Sequence, residues 1–327
     1  MSLKEISART GVSVSTVSRV LNNRPGGCVS PQVRSKVWAV AREMGYQPNL
    51  NARNLKRGAP AQALHQISVI LARPDAPQED PFFIQCLDDL SAELLGAGFR
   101  LGETACPEEG PWQLPPADGY IVLGKCREDL LRTLEDRTSN LVGLWRNPGA
   151  LPVDQVVCSG QKAAALAMEH LLELGHRRIA YIGDCSYENR FVGYTEALTG
   201  HGLPLIYPLV FNVQQTREDG KKAMEALLQA QEATAVLCAS DEVALGALEA
   251  VRHTRKKRGA VPMSVISIDD IPEARKAGLT TVHIPRGDMT HLAVRLLADR
   301  MAGGHREQVS VELPCRLVER DSCYCVL

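Results

Sequence analysis

Two patterns of apolar spacing divide the chain. From Leu3 to Tyr46 the apolar residues recur at helical intervals: Leu3 and Ile6, then Val12, Val17, Val20 and Leu21, then Val33, Val37, Val40, Ala41 and Met44. This spacing, without strand-like alternation, predicts three short helices. Gly11 separates the first two, Ser13 is placed to cap the second, Ser30 and Pro31 cap and start the third, and Gly45 ends it. A unit this small can do little beyond presenting a helix.

Gln47 to Gly58 then carries about two turns of potential helix. Alone in water so short a helix is marginal, because nucleation is unfavourable and few bonds follow it; disorder is expected until a partner folds it. Residues 59–66, with Pro60, read as a linker. From Ile67 the pattern changes to short apolar runs alternating with amphipathic stretches. Strands are predicted at 67–71, 120–123, 141–145, 179–182, 209–213, 235–239 and 265–268, and helices at 81–96, 128–137, 161–174, 187–199, 218–230, 241–253 and 287–301. Alternation of this kind specifies parallel sheets covered on both faces, with ligands at the carboxyl ends of the strands. A chain of 327 residues exceeds what one core usually serves, which agrees with two or three domains.

Charge sharpens the division. The net charge of -1 hides ten Lys or Arg against Glu5 and Glu43 in residues 1–58, so the head stands near +8 and the remainder near -9. A compact basic unit on an acidic body suits a polyanionic partner for the head alone. No run of 18 apolar residues occurs, and Lys4, Glu5 and Arg9 stand where a signal peptide would be apolar; a soluble cytoplasmic protein without membrane contact is expected. The ten cysteines are scattered without a C-x-x-C pair, which reads as small buried side chains, with Cys323 and Cys325 as candidate exposed thiols. Two further ligands for a metal at Cys323 and Cys325 are missing, and Tyr324 breaks the prenylation pattern. No cofactor is expected: G-x-G-x-x-G after the first strand, the phosphate-binding G-x-x-x-x-G-K-[ST], G-x-S-x-G and H-E-x-x-H are all missing, which argues against catalysis.

The run from Gly11 to Asn22, G-V-S-V-S-T-V-S-R-V-L-N, closely resembles the DNA-binding head of the lactose-repressor/galactose-repressor family of bacterial regulators. The resemblance implies a helix-turn-helix whose second helix enters the major groove. Val14 and Ser15 occupy the family's principal base-reading positions, and Arg19 matches a position that reads a guanine edge with two parallel bonds. Ser13 caps the helix beside the duplex, while Thr16, Ser18 and Asn22 hold phosphates and set register. The likeness continues through Tyr46 to Leu55, the family's hinge helix. It implies that residues 47–58 fold when two copies meet on operator DNA, with Asn49 among the contacts and Leu55 wedged into the minor groove.

Over the rest of the chain the resemblance is looser. Asp80 to Phe83, Glu173 to Gly183, Ala239 to Gly246, Val265 to Asp270 and Leu279 to Val282 carry it. It implies a two-lobed, periplasmic-binding-protein-like sensor with parallel sheets, three crossovers and a small molecule between the lobes. The expected boundaries are 1–46 for the helix-turn-helix domain, 47–58 for the hinge and 67–327 for the body. Within the body the amino-terminal lobe takes 67–157 and 287–313, and the carboxyl-terminal lobe 158–286 and 314–327. Arg190 matches the arginine that grips ligand oxygens and Asp269 an acid that accepts from ligand hydroxyls. Phe82 and Phe83 offer apolar faces, Trp145 a stacking surface where sugar-binding relatives often have a carboxylate, and Ser240 and Gln215 are further polar candidates. Asp241 reads as a helix cap.

Two departures from the family pattern stand out. Pro107, Pro111, Pro115 and Pro116 break any helix between Cys106 and Asp118, and nothing after Leu317 supplies heptads for a tetramer. The resemblance implies a homodimeric repressor of a sugar-utilisation operon, with Ile268 to Ala274 and Asp118 to Gly124 most like members that control galactoside use. Two alternatives stay open: control of the same kind of regulator by a protein corepressor, and thiol redox sensing through Cys323 and Cys325.

Overall fold

The fold comes from a computed structural model that describes residues 3–21, 29–30, 32–33, 36–37, 40–41, 44, 64–72, 80–107, 112–124, 126–145, 153–186, 189–230, 232–255 and 263–326. The hinge segment 47–58, with Asn49 and Leu55, and Asn22 lie outside the described residues.

In the head, α1 (Leu3–Thr10) and α2 (Val14–Leu21) meet across a turn at Gly11, whose φ of 68° is left-handed and open to glycine at little cost. Ile6, Val17, Val20 and Leu21 are buried together with Val37 and Ala41, so the three apolar stripes close on one small core. The Ser13 hydroxyl accepts from the Thr16 amide at 3.2 Å and caps α2, and the Ser30 hydroxyl accepts from the Val33 amide at 3.3 Å.

Two six-stranded sheets make up the rest. The first joins β1 (Gln66–Leu71), β2 (Arg100–Ala105), β3 (Gly119–Leu123), β4 (Leu141–Trp145), β5 (Asp154–Val157) and β11 (Ser310–Glu312) in the order β11-β5-β4-β3-β1-β2, all parallel. The second joins β6 (Ile179–Gly183), β7 (Val210–Asn212), β8 (Ala235–Cys238), β9 (Ser264–Asp269), β10 (Thr280–His283) and β12 (Arg316–Val318) in the order β12-β10-β9-β8-β6-β7, with β12 alone antiparallel. The helices are α3 (Pro81–Ala97), α4 (Glu128–Glu135), α5 (Gly160–Glu173), α6 (Arg190–Gly200), α7 (Arg217–Ala230), α8 (Asp241–Arg255), α9 (Pro272–Ala277) and α10 (Arg286–Met301). The chain passes between the sheets three times: from β5 into α5, from β10 into α10, and from β11 into β12.

The runs that read as strands are strands because they are apolar on both sides and buried on both faces. In β3, Ile121 and Leu123 join the large core, while Tyr120 and Val122 join a second core on the opposite face. That second face carries the proline-rich stretch. Residues 112–117 have no regular structure, yet Leu114 is buried among Ile70, Tyr120 and Val122, and the Pro115 carbonyl accepts from the Tyr120 hydroxyl at 2.7 Å. Irregular backbone covers the sheet there, its carbonyls satisfied by Tyr120, by the Gln66 amide and by Arg137.

Five strands and one helix fall outside the sequence expectation. β2 is half exposed and polar, β11 is Ser-Val-Glu, and β5, β10 and β12 have four residues or fewer; each is made a strand by its neighbour, not by its own periodicity. The six-residue helix α9 is likewise too short to show a stripe.

Candidate functional site

The polar candidates of the body gather along one edge. Adjacent strands β7, β6, β8 and β9 deliver at their carboxyl ends Gln215, Arg190, Ser240 and Asp269. The strand order reverses at β6 and β8, the place where open parallel sheets bind ligands. Gly183 ends β6 at φ 151°, and a β-carbon there would overlap Ala239, so glycine lets the two strand ends close together. The Ala239 carbonyl then accepts from Arg190 Nη1.

Arg190 opens α6 and is buried, and its Nη2 lies 3.1 Å from Asp269 Oδ1, a carboxylate that is also buried. A cation and an anion out of water are tolerable only because they face each other. The backbone beneath them is strained: Asp269 has φ 134° and Asp270 φ 61°, conformations that L residues avoid. Asp270 is held by His283 at 2.9 Å and Arg320 at 2.5 Å. Asp241 secures the other side of the turn.

Asp241 corrects the sequence reading. The α8 cap is Ser240, whose hydroxyl accepts from the Val243 amide at 3.4 Å. The fully buried Asp241 carboxylate instead accepts from the Ser267 hydroxyl at 2.5 Å, the Thr281 hydroxyl at 2.7 Å and the Ile271 amide at 2.7 Å, tying α8 to β9, β10 and the strained turn. Burial and the neighbouring Asp269 carboxylate push Asp241 up to about 7, against three bonds that favour its charge. Spacing could not reveal these partners, which lie 26, 40 and 30 residues away.

The aromatic candidates fare differently. Trp145 ends β4, but its indole folds back over Gly143, where a β-carbon would collide with the ring, and Nε1 donates to Gln155 Oε1 at 2.6 Å. Gln155 is the β5 partner of Gly143, so the vacancy above a glycine and an acceptor opposite it draw the ring into the second core. Trp145 therefore offers no stacking surface. Phe82 and Phe83 stand at the start of α3, behind an Asp80 cap that accepts from the Phe82 amide at 2.9 Å. Both rings are buried edge to face, 5.8 Å apart, in the large core; they are packing residues here, and the expectation of free apolar faces is corrected. Gln215 is half-buried in the turn between β7 and α7, the outermost of the group.

In the head, Val14 and Ser15 are exposed on the first turn of α2, opposite buried Val17, with Thr16, Ser18 and Arg19 half-buried around them. The Ser13 hydroxyl lies 2.9 Å from both the Ser15 and Thr16 hydroxyls, a polar cluster at the amino end of the helix. Helix amino termini suit phosphate oxygens. The Cys323 thiol donates to the Val265 carbonyl at 3.4 Å, and burial pushes it up to about 11, while Cys325 is exposed. Among the described residues no helix is long and apolar enough to cross a membrane.

Residues 2–49 match the bacterial regulatory proteins of the lacI family, and residues 168–323 match a periplasmic binding protein-like domain. The HTH-type transcriptional repressor CytR of Escherichia coli strain K12 is 30% identical over 341 residues, covering 98% of this chain and 95% of that protein. The chain belongs to the lacI family. Among solved structures, the transcriptional regulator CelR in complex with cellobiose superposes with a TM-score of 0.69 at 28% identity, over 98% of this chain and 99% of that one. The lac repressor dimer bound to operator and the anti-inducer ONPF shares the fold, at a TM-score of 0.67 and 23% identity over 99% of both chains. As a lacI family regulator, the chain joins a helix-turn-helix DNA-binding head to a two-lobed sensor with parallel sheets. Its relatives are named as transcriptional repressors, not as enzymes.

Proposed function

We propose that this lacI family protein represses transcription as a homodimer on operator DNA and is released when a sugar binds between its lobes. The observation that carries the effector half is the buried Arg190–Asp269 pair at the carboxyl edge of four adjacent strands. Each sugar hydroxyl both donates and accepts, and a guanidinium fork beside a carboxylate answers both halves. Ser240 and Gln215 follow strands of the same edge. The CelR complex with cellobiose supports a sugar, and the likeness of Ile268 to Ala274 and Asp118 to Gly124 to galactoside regulators puts galactosides first.

On the DNA side, Val14 and Ser15 meet base edges, Arg19 reads a guanine, and Ser13, Thr16, Ser18 and Asn22 set register on phosphates, with Asn49 and the Leu55 wedge contributed by the hinge at 47–58. The head takes residues 1–46; the lobes take 67–157 with 287–313, and 158–286 with 314–327. One head covers a single half-site, which supports a dimer. By linkage, operator weakens sugar binding by the factor that sugar weakens operator binding.

The test is a thermal-shift panel of galactosides, cellobiose and ribose, with Arg190→Ala as control, beside gel-shift titration of DNA from the chain's own genomic neighbourhood. A sugar that stabilises the wild type, leaves Arg190→Ala unmoved and releases DNA supports the reading. Equal stabilisation of both proteins removes the Arg190 role, and silence across the panel favours a protein corepressor. Leu55→Ala weakens operator binding and leaves sugar affinity unchanged; unaltered operator affinity removes the wedge.

A further inference from the structure

Two of the three passages between the sheets each carry a cysteine, and the two thiols meet. Cys158 directly follows β5, in the first passage, and is fully buried. Cys315 lies between β11 and β12, in the third, half-buried against the same core. Strand pairing brings them together: Glu312 is the β11 partner of Val157, and the Leu313 amide donates to the Val157 carbonyl at 2.8 Å, so the residues after each strand leave side by side. Their thiols are hydrogen-bonded.

We propose that Cys158 and Cys315 are a modification site, a thiol pair that a hydroperoxide closes into a disulfide across the first and third passages between the lobes. The Cys315 thiolate attacks the peroxide oxygen, forming an S–O bond and breaking the O–O bond, and the peroxide leaves as alcohol or water. The Cys158 sulfur then attacks the sulfenic sulfur; the S–S bond forms, and hydroxide leaves with the Cys158 proton as water. Two electrons pass from the thiols to the peroxide.

The surroundings suit Cys315 to the first step. The bond from Cys158, helped by a backbone bond, pulls its thiol down to about 7 against burial and the Glu312 carboxylate, and the Lys162 ammonium, paired with that carboxylate at 2.8 Å, adds a smaller pull in the same direction. Cys323, pushed up to about 11, is the poorer nucleophile at neutral pH. A rotation of one lobe on the other must bend the three passages, so a covalent link between two of them restrains it. Oxidation then holds the lobes in one arrangement and removes the effector's grip on DNA. That consequence rests on the repressor reading; the disulfide itself does not.

The experiment treats reduced full-length protein with hydrogen peroxide, alkylates the remaining thiols and maps peptides without reduction. Two of the ten thiols are expected to disappear, with one linked peptide pair joining Cys158 to Cys315, restored by dithiothreitol. Cys315→Ser abolishes the loss, and Cys158→Ala leaves a dimedone-reactive sulfenic acid at Cys315. Because Cys158 is buried, the wild-type map decides the matter whether or not that variant folds. Equal alkylation of both residues before and after peroxide, or links from either one to another cysteine, overturns the proposal. A disulfide that forms while the sugar still shifts operator affinity by its full factor overturns the restraint; reduced protein that never retains DNA sinks the repressor reading and leaves the map standing.

Discussion

Replacing Arg190 by alanine tests the site without knowledge of its ligand. Arg190 and Asp269 are 3% and 7% exposed at their side chains, so truncation takes from a carboxylate in the interior the guanidinium that faces it. It also removes a donor from the Ala239 carbonyl. Breaking a buried pair from one side costs about 3–5 kcal/mol, more than an exposed pair contributes altogether. At about 2–4 °C per kcal/mol for a domain of this size, the melting temperature should fall by roughly 6–20 °C. Two companions separate charge from shape. Arg190→Lys keeps the cation and loses the fork, so it should melt near the wild type while losing sugar-dependent stabilisation. Arg190→Met combined with Asp269→Leu removes both charges and should recover most of the loss, because well-packed apolar pairs replace buried ion pairs at little cost. The assay is thermal unfolding by circular dichroism at neutral pH. An Arg190→Ala melt within 2 °C of the wild type, or a double variant no more stable than the single, would refute a mutually dependent buried pair.

Gly143→Ala should destabilise by about 1–3 kcal/mol, since its methyl group displaces the Trp145 indole and breaks the bond to Gln155; unchanged denaturant midpoint and tryptophan emission would contradict this packing. The network that ties α10 and β11 to β5 predicts a stability optimum in mildly acid solution. Burial raises Asp154, but bonds from Arg300, His305 and the Val309 amide outweigh it and hold the carboxyl below its ordinary 3.8, so its contribution is present above 3.8 and is lost as pH falls through the lowered value. Bonds to Asp299 and Asp154 raise His305 above its ordinary 6.5, so its contribution is complete below 6.5 and is lost as pH rises through the raised value. In urea titrations at stepped pH, the gap between wild type and His305→Asn should close as pH rises past 6.5, and that for Asp154→Asn should close as pH falls below 3.8. Gaps independent of pH would contradict the assignment.

The sequence by itself determined what depends on neighbours along the chain. Gly11, Ser13 and the Val17, Val20 and Leu21 stripe specify the turn, the cap and the buried face of the second helix, all within one dozen residues. Doubly apolar runs such as Gly119–Leu123 specify central strands, because only a parallel strand covered on both faces buries every side chain. The resemblance singled out Arg190 and Asp269 each as a ligand contact; that they pair with each other across 79 residues came only from the fold.

Only the tertiary structure decided the rest. Ser310–Glu312 and Arg316–Val318 have no periodicity of their own and are strands because β5 and β10 pair with them. Trp145 turned inward because Gly143 left a space beside it and Gln155 stood across the ladder, and Asp241 became the brace of a strained turn through three partners on other segments. A side chain's hydrogen-bond partners and the room around it belong to whatever the fold brings near, and linear spacing contains neither.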